Sequence, residues 1–165
     1  MLDLSFDYYV FAVVLLYMPF HLLEEALGNF PSWMKAHGYT PIKKTYGFWM
    51  AGNIFFFYPL LLCCALVYHF IGNQAIVFGV SVLFWGVVNF LEHLFFTVKD
   101  RKIAPGLFTG LIFVLIAIGG IFKVQAMGLL NIGVIALALV IAVFCLAVPA
   151  PLQKYVGNRL WKNFD

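Results

Sequence analysis

Five apolar runs of about twenty residues each dominate this sequence, and they restrict the folds that the chain can adopt. A helix rises about 1.5 Å per residue, so about twenty residues are needed to cross the roughly 30 Å hydrocarbon core of a bilayer. The runs cover residues 8–27, 48–70, 75–98, 105–122 and 127–148. Because each run is long enough to cross once, we predict an all-α membrane bundle of five transmembrane helices.

The composition supports a membrane protein and excludes other classes. Of the 165 residues, 64% are hydrophobic and only 10% are charged, whereas soluble domains carry about 25% charged residues. This excludes a soluble enzyme. The net charge of +3 does not indicate a nucleic-acid partner, because the basic residues lie beside the apolar runs, where membrane topology accounts for them.

The basic residues also predict an orientation. Only Lys123 lies on the opposite side of the predicted bundle from the other nine. Cytoplasmic loops carry an excess of Lys and Arg, so we predict an outside N-terminus and a cytoplasmic C-terminus. Residues 1–165 then form a single membrane domain with an interfacial loop at 28–46 and an interfacial tail at 149–165. The nine cytoplasmic basic residues are Lys35, Lys43, Lys44, Lys99, Arg101, Lys102, Lys154, Arg159 and Lys162.

Two polar clusters interrupt the apolar runs. Residues 21–25 read His-Leu-Leu-Glu-Glu, and residues 89–93 read Asn-Phe-Leu-Glu-His. Side chains three and four positions apart share a helix face, so we expect His21, Glu24 and Glu25 to converge on one atom. Ionisable residues inside a membrane span are costly and usually functional. The two clusters therefore predict a functional site.

Other polar residues fall at the same predicted depth as the two clusters. Asn53 and Thr109 lie near the cytoplasmic ends of the second and fourth runs, and we expect them to hold a ligand in place or to bind substrate. Trp85 lies one helical turn from Asn89 on the same face, where it would wall an apolar substrate pocket. This shared layer indicates one assembled site in the cytoplasmic half of the bilayer.

The residue types in this layer favour a divalent metal. His21, Glu25 and His93 supply the two imidazoles and one carboxylate of a catalytic zinc site with an open position for water, and Glu24 is a further candidate ligand. Iron or manganese would accept a similar set of ligands. We favour zinc.

The expected activity depends on a carboxylate that does not bind the zinc. Glu24 or Glu92 would act as the general base, with Asn89 or Asn53 beside the metal or a developing oxyanion. Burial in the membrane favours an amphiphilic or lipid-like substrate. We therefore expect a metal-dependent membrane enzyme that hydrolyses an ester, an amide or a similar bond.

Several other hypotheses remain open at this point. A metal-free isomerase would use the same His and Glu residues to move a proton, and a lipid-binding or isoprenoid-binding protein would use them without chemistry. A di-iron oxidoreductase usually has Glu-x-x-His pairs, whereas this chain has the reverse order and one carboxylate fewer. An ion or proton transporter is a further alternative. The sequence also leaves open whether the chain forms a homodimer.

The His21-Leu22-Leu23-Glu24-Glu25 segment, at the end of the first span of a small polytopic protein, resembles the HXXEE-motif family of prokaryotic integral membrane proteins. The cluster at 89–93 is similar to the second, histidine-bearing motif of that family. The resemblance implies an integral protein of a prokaryotic inner or plasma membrane. It carries over His21, Glu24, Glu25, Asn89 and His93 as functional residues, and it implies no particular reaction.

Overall fold

The computed structural model describes residues 5–39 and 46–149, and within these ranges the chain is helical with no strand. This confirms the predicted all-α class, while the predicted tail at 149–165 lies almost wholly outside the described residues. The described residues form five long helices and one short helix. They are α1 (Phe6–Leu27), α2 (Phe30–Ala36), α3 (46–71), α4 (Ile76–Asp100), α5 (Leu107–Ala126) and α6 (Ile132–Ala147).

Among the described residues, three helical runs are long and apolar enough to cross a membrane, namely Phe6–Leu27, Gly47–Asp100 and Leu107–Ala126. The second run contains both α3 and α4. It folds back at Gly72, whose φ of 73° lies in the left-handed region that favours glycine. The shorter α6 is also apolar. These lengths and compositions are compatible with a membrane protein.

Helix α4 lies at the centre of the bundle, where it packs against α1, α3, α5 and α6. Its inner face buries Val80, Leu83, Trp85 and His93 almost completely. The helix that carries the second polar cluster is therefore surrounded by protein on most sides. Its position in the bundle brings this cluster next to the one on α1.

The connection between α5 and α6 differs from the prediction. We expected the fourth run to end at 122 and the fifth to begin at 127, but α5 continues to Ala126 and α6 begins at Ile132. The chain turns at Gly128 (φ 70°), and the Asn131 side chain then accepts a hydrogen bond from the Val134 N–H group at 3.1 Å. The turn is itself apolar, which hides it from a hydropathy pattern.

Two wide π-helical turns interrupt α1 and α3 close to their proline residues. One spans Tyr17–His21 and includes Pro19, while the other spans Asn53–Phe57 and ends two residues before Pro59. Proline has no N–H group to donate, and its ring displaces the carbonyl of the preceding turn, so the helix must widen or bend. Such turns often occur at functional sites, and here they carry two of the predicted site residues.

The short loop between α4 and α5 holds Gly106 against the ring of His93. Thr97 Oγ1 donates to the His93 carbonyl at 2.8 Å and accepts from the Ala104 N–H group at 3.0 Å, which fixes the loop to α4. Gly106 has φ 96°, and a Cβ atom there would lie 2.6 Å from His93 Cε1. Glycine is therefore required at position 106 by both backbone conformation and space.

Alanine at position 106 should destabilise the protein more than alanine at position 128. Both glycines have positive φ, which costs an L-residue about 1–2 kcal/mol, but nothing lies within 4 Å of a Cβ atom at Gly128. We expect Gly106→Ala to lower the free energy of unfolding by a further 1–3 kcal/mol or so, because the His93 ring must move. Denaturant titration in detergent measures both variants, and equal losses would contradict the contact.

Candidate metal-binding site

The structure brings together three of the predicted site residues, His21 and Glu25 on α1 and His93 on α4. One ligand atom from each lies within 4.8 Å of the other two. Glu25 Oε1 lies 3.7 Å from His21 Nε2 and 3.4 Å from His93 Nε2. All three residues are buried, with exposed fractions of 1%, 4% and 1% respectively. A carboxylate and two imidazoles therefore face one another away from solvent.

These distances fit a divalent cation. In a tetrahedral site with zinc bonds of about 2.0–2.1 Å, neighbouring ligand atoms lie about 3.3 Å apart. The two measured distances are close to this value. In addition, His21 Nε2 is buried and has no hydrogen-bond partner among the described residues. Buried polar atoms are normally paired, so the donor set fits a metal ion that would bind this nitrogen.

The three residues lie on the wall of a cavity of about 380 Å³. Its polar lining includes Asn53, Asn89 and Glu92, which were predicted from sequence. Helix α2 contributes to the wall next to the site, with the Phe30 ring centred 5.1 Å from that of His93. The apolar and aromatic part of the lining is formed by Tyr17, Phe30, Met34, Trp49, Phe57, Trp85, Val88, Val143, Leu146 and Ala147.

Glu24, which the sequence predicted as a metal ligand or general base, lies outside this group, and its carboxylate is directed towards α5. Its Oε1 accepts hydrogen bonds from the Gly106 N–H group at 3.0 Å and the Phe108 N–H group at 3.1 Å. Its Oε2 accepts from the N–H group of Thr109 at 2.8 Å and from the hydroxyl of Thr109 at 2.6 Å. Glu24 therefore caps the start of α5, where the first N–H groups of a helix lack partners.

The other predicted residues have identifiable places around the site. Thr109 Oγ1 lies 2.7 Å from His21 Nδ1. Asn53 Oδ1 accepts a hydrogen bond from the Tyr17 hydroxyl, and its Nδ2 donates to the Trp49 carbonyl at 3.0 Å. Both Asn53 and Thr109 are thus held in hydrogen-bond networks beside the three central residues.

Three predicted residues on α4 line the same cavity in different ways. Trp85 and Asn89 are buried, and within residues 5–39 and 46–149 neither Trp85 Nε1 nor Asn89 Oδ1 has a hydrogen-bond partner. Glu92 is exposed and lies at the edge of the cavity. Of the two carboxylates predicted as general bases, Glu92 alone faces the cavity.

Sequence reasoning missed several residues that shape the site. Tyr17 stacks on His21 with ring centroids 5.7 Å apart, and its position four residues before His21 could have indicated this. Phe30 and Met34 also lie four residues apart, which gives the predicted interfacial loop an apolar face over the cavity. The Pro105–Gly106 pair is typical of a turn, and it could have indicated the loop that lies against His93.

Replacing Glu24 with glutamine should destabilise the protein. A glutamine amide accepts at one end only, and each Glu24 oxygen accepts from two groups, so the NH2 group would face two of the four donors that Glu24 now binds. We expect the free energy of unfolding to fall by about 1–3 kcal/mol. The control is Glu92→Gln at the exposed cavity edge, which should change it by less than about 0.5 kcal/mol. Equal stabilities of the two variants in a denaturant titration would contradict a capping role for Glu24.

Comparison with known proteins agrees with the sequence motif. No curated protein and no solved structure matches the chain. A family model described as "Protein of unknown function with HXXEE motif" matches residues 12–119. This range contains His21, Glu25 and His93 together with Glu24. Because it covers well over half of the 165 residues, the chain belongs to the HXXEE-motif family.

Proposed function

We propose that this protein is an integral membrane hydrolase that depends on a divalent metal and cleaves an ester or amide bond in an amphiphilic, lipid-like substrate. The observation that carries the proposal is the convergence of His21, Glu25 and His93 on the wall of a mostly apolar cavity. Glu92 is a further carboxylate at the edge of that cavity. Metal ligands, a base and an apolar binding space thus occur together.

The ligand set favours a catalytic metal over a structural one. Structural zinc sites usually have four protein ligands, whereas catalytic sites have three and leave one position open. Two His and one Glu form such a three-ligand set, with zinc as the favoured metal. The same donors also suit iron(II), and manganese remains a further candidate.

The residues around the site suggest how a hydrolytic step would proceed. A bound zinc ion would polarise the scissile carbonyl and make a water molecule easier to deprotonate. Glu92 would take one proton from that water as the water oxygen bonds to the carbonyl carbon. It would return the proton to the leaving oxygen or nitrogen as the ester or amide bond breaks. Asn89 Oδ1, which has no hydrogen-bond partner in the part of the chain that the structure describes, would accept a hydrogen bond from the water or the substrate. The products are an acid and an alcohol or amine.

The lining of the cavity supports a lipid-like substrate. Aromatic and aliphatic side chains from α2, α3, α4 and α6 form most of the wall, so an alkyl chain would be buried there favourably. Large apolar residues also cover the outside of the bundle, including Leu115, Phe122 and Val140. We propose that this surface faces lipid and that substrate enters the cavity from the bilayer.

The proposed topology has five membrane-crossing helices, with the N-terminus outside and the site in the cytoplasmic half. Helix α6 has 16 residues, somewhat fewer than the roughly 20 that a helix needs to span the hydrocarbon core without local thinning. His93 lies seven residues before the end of α4 at Asp100, and three basic residues lie around that end. These are Lys99, Arg101 and Lys102, which the positive-inside rule places in the cytoplasm.

One distance also favours a second candidate function, a metal-free acid–base enzyme such as an isomerase. His93 Nε2 lies 3.4 Å from Glu25 Oε1, and a proton shared between them would relieve the repulsion between buried acceptors. Such a pair can move a proton on a substrate without a metal. The two candidates differ in their response to chelators.

Elemental analysis of the detergent-purified protein tests the metal directly. We expect about one equivalent of zinc per chain in the wild type and little in His21→Ala or His93→Ala, because each variant removes one of three ligands. The matched control is His69→Ala, since His69 pairs with exposed Asp7 at 3.0 Å and should keep the metal. Wild-type protein that is purified without metal, stays folded and binds no added zinc would contradict the proposal.

Hydrolysis of chromogenic acyl esters in detergent micelles tests the reaction. We expect Glu92→Gln to lower kcat by about 10²–10⁴-fold, as for loss of a general base, while the bound zinc is unchanged. A chelator should abolish wild-type activity, and added zinc should restore it. Activity that resists chelation but is lost in Glu25→Gln would instead support the acid–base candidate.

A further inference from the structure

The hydrogen bonds around Glu24 restrict where protons lie in the adjoining network. Three of its four partners are the backbone N–H groups of Gly106, Phe108 and Thr109, at 2.8–3.1 Å. A backbone N–H group can only donate, so both oxygens of Glu24 act as acceptors. The start of a helix also favours an ionised carboxylate.

The Thr109 hydroxyl has a single proton, and its position follows from the same contacts. Thr109 Oγ1 lies 2.6 Å from Glu24 Oε2 and 3.3 Å from the Gly106 carbonyl. Two oxygen lone pairs would repel each other at 2.6 Å, so the hydroxyl proton lies between Thr109 and Glu24. The Thr109 hydroxyl can therefore act only as an acceptor in a hydrogen bond with His21.

The short contact to His21 then determines the tautomer of that ring. His21 Nδ1 lies 2.7 Å from Thr109 Oγ1, and since the hydroxyl accepts there, Nδ1 must carry a proton. A neutral imidazole has one N–H group, so Nε2 has a free lone pair. This nitrogen lies 3.7 Å from Glu25 Oε1, and no described residue forms a hydrogen bond with it.

We propose that Thr109 and Glu24 are positioning residues for His21, and that they keep its proton on Nδ1 so that Nε2 is free to bind a cation. The benefit to metal binding rests on the function proposed above, whereas the choice of tautomer does not. Without the Thr109 hydroxyl, His21 would move its proton to Nε2 and donate to Glu25, and two of the three ligands would then bind each other.

In this arrangement the two glutamates of the His-x-x-Glu-Glu motif have different roles. Glu25 faces the cavity and contributes the carboxylate of the three-residue group. Glu24 faces α5 and acts on His21 through Thr109. Groups that orient a metal-binding imidazole typically change metal affinity by about 10–100-fold when they are removed.

The test separates this role from helix capping by changing Thr109 alone. Thr109→Val removes the hydroxyl but leaves the three backbone hydrogen bonds to Glu24, and Thr109→Ser keeps a hydroxyl. Full-length protein in detergent is stripped of metal and labelled with ¹⁵N-histidine, with the His21 signals assigned by comparison with His21→Ala. The ring-nitrogen shifts then report the tautomer, and titration with Zn²⁺ alone gives the affinity.

We expect the Nδ1–H tautomer in the wild type and in Thr109→Ser, and the Nε2–H tautomer or a mixture in Thr109→Val. Zinc affinity should fall by about 10–100-fold in Thr109→Val and stay close to the wild-type value in Thr109→Ser. The melting temperature of Thr109→Val should remain near that of the wild type, because the helix cap is kept. The serine variant shows whether any loss depends on the hydroxyl itself.

The outcomes distinguish this inference from the proposed function. If the wild type carries the His21 proton on Nε2, or if Thr109→Val leaves both the tautomer and the zinc affinity unchanged, the positioning role is overturned. If the tautomer behaves as expected but no variant binds zinc, the positioning role stands and the metal-dependent function fails.

Discussion

The start of α5 needs hydrogen-bond acceptors, and the way in which the chain supplies them fixes the rest of the site. The first N–H groups of any helix lack partners within it, and leaving them unpaired away from water is costly. Glu24 reaches across from α1 and accepts from three of them. Close packing of Gly28 against Pro105 strengthens the same junction. Because His21 and Thr109 lie on either side of this contact, the junction that closes the bundle also positions the site.

The second constraint is the central position of α4. This helix packs against four others, so His93 approaches Glu25 from a part of the bundle with little freedom to move. On the other side, the ring of His93 lies against Gly106, which belongs to the loop that Glu24 also binds. The two histidines are therefore supported by one set of contacts, although 72 residues separate them along the chain.

The sequence predicted the helical class and the HXXEE family, both of which are confirmed, and it pointed to the residues that the structure brings together. His21 and Glu25 are four residues apart, so helix geometry alone places them side by side. The same rule groups Glu24 with them, but positions i+3 and i+4 lie about 100° apart on a helix, and in the structure Glu24 faces α5. The partners of Glu24 are 82 to 85 residues away, so its role depends on tertiary packing. The turn at Gly128 and the wall formed by α2 were missed for similar reasons.

The wide turn at Tyr17–His21 has a consequence for the spacing of residues along α1. A π-helical turn takes in one residue more than an α-helical turn, which rotates the following residues by about 100° around the helix axis. Before this turn, α1 packs through Val10, Val13 and Val14, and after it Glu25 must face His93. The number of residues between Val14 and Glu25 thus determines how far Glu25 is rotated about the helix axis relative to the buried valines. Loss of a single residue there would keep every functional side chain in the sequence and still turn Glu25 away from its partner.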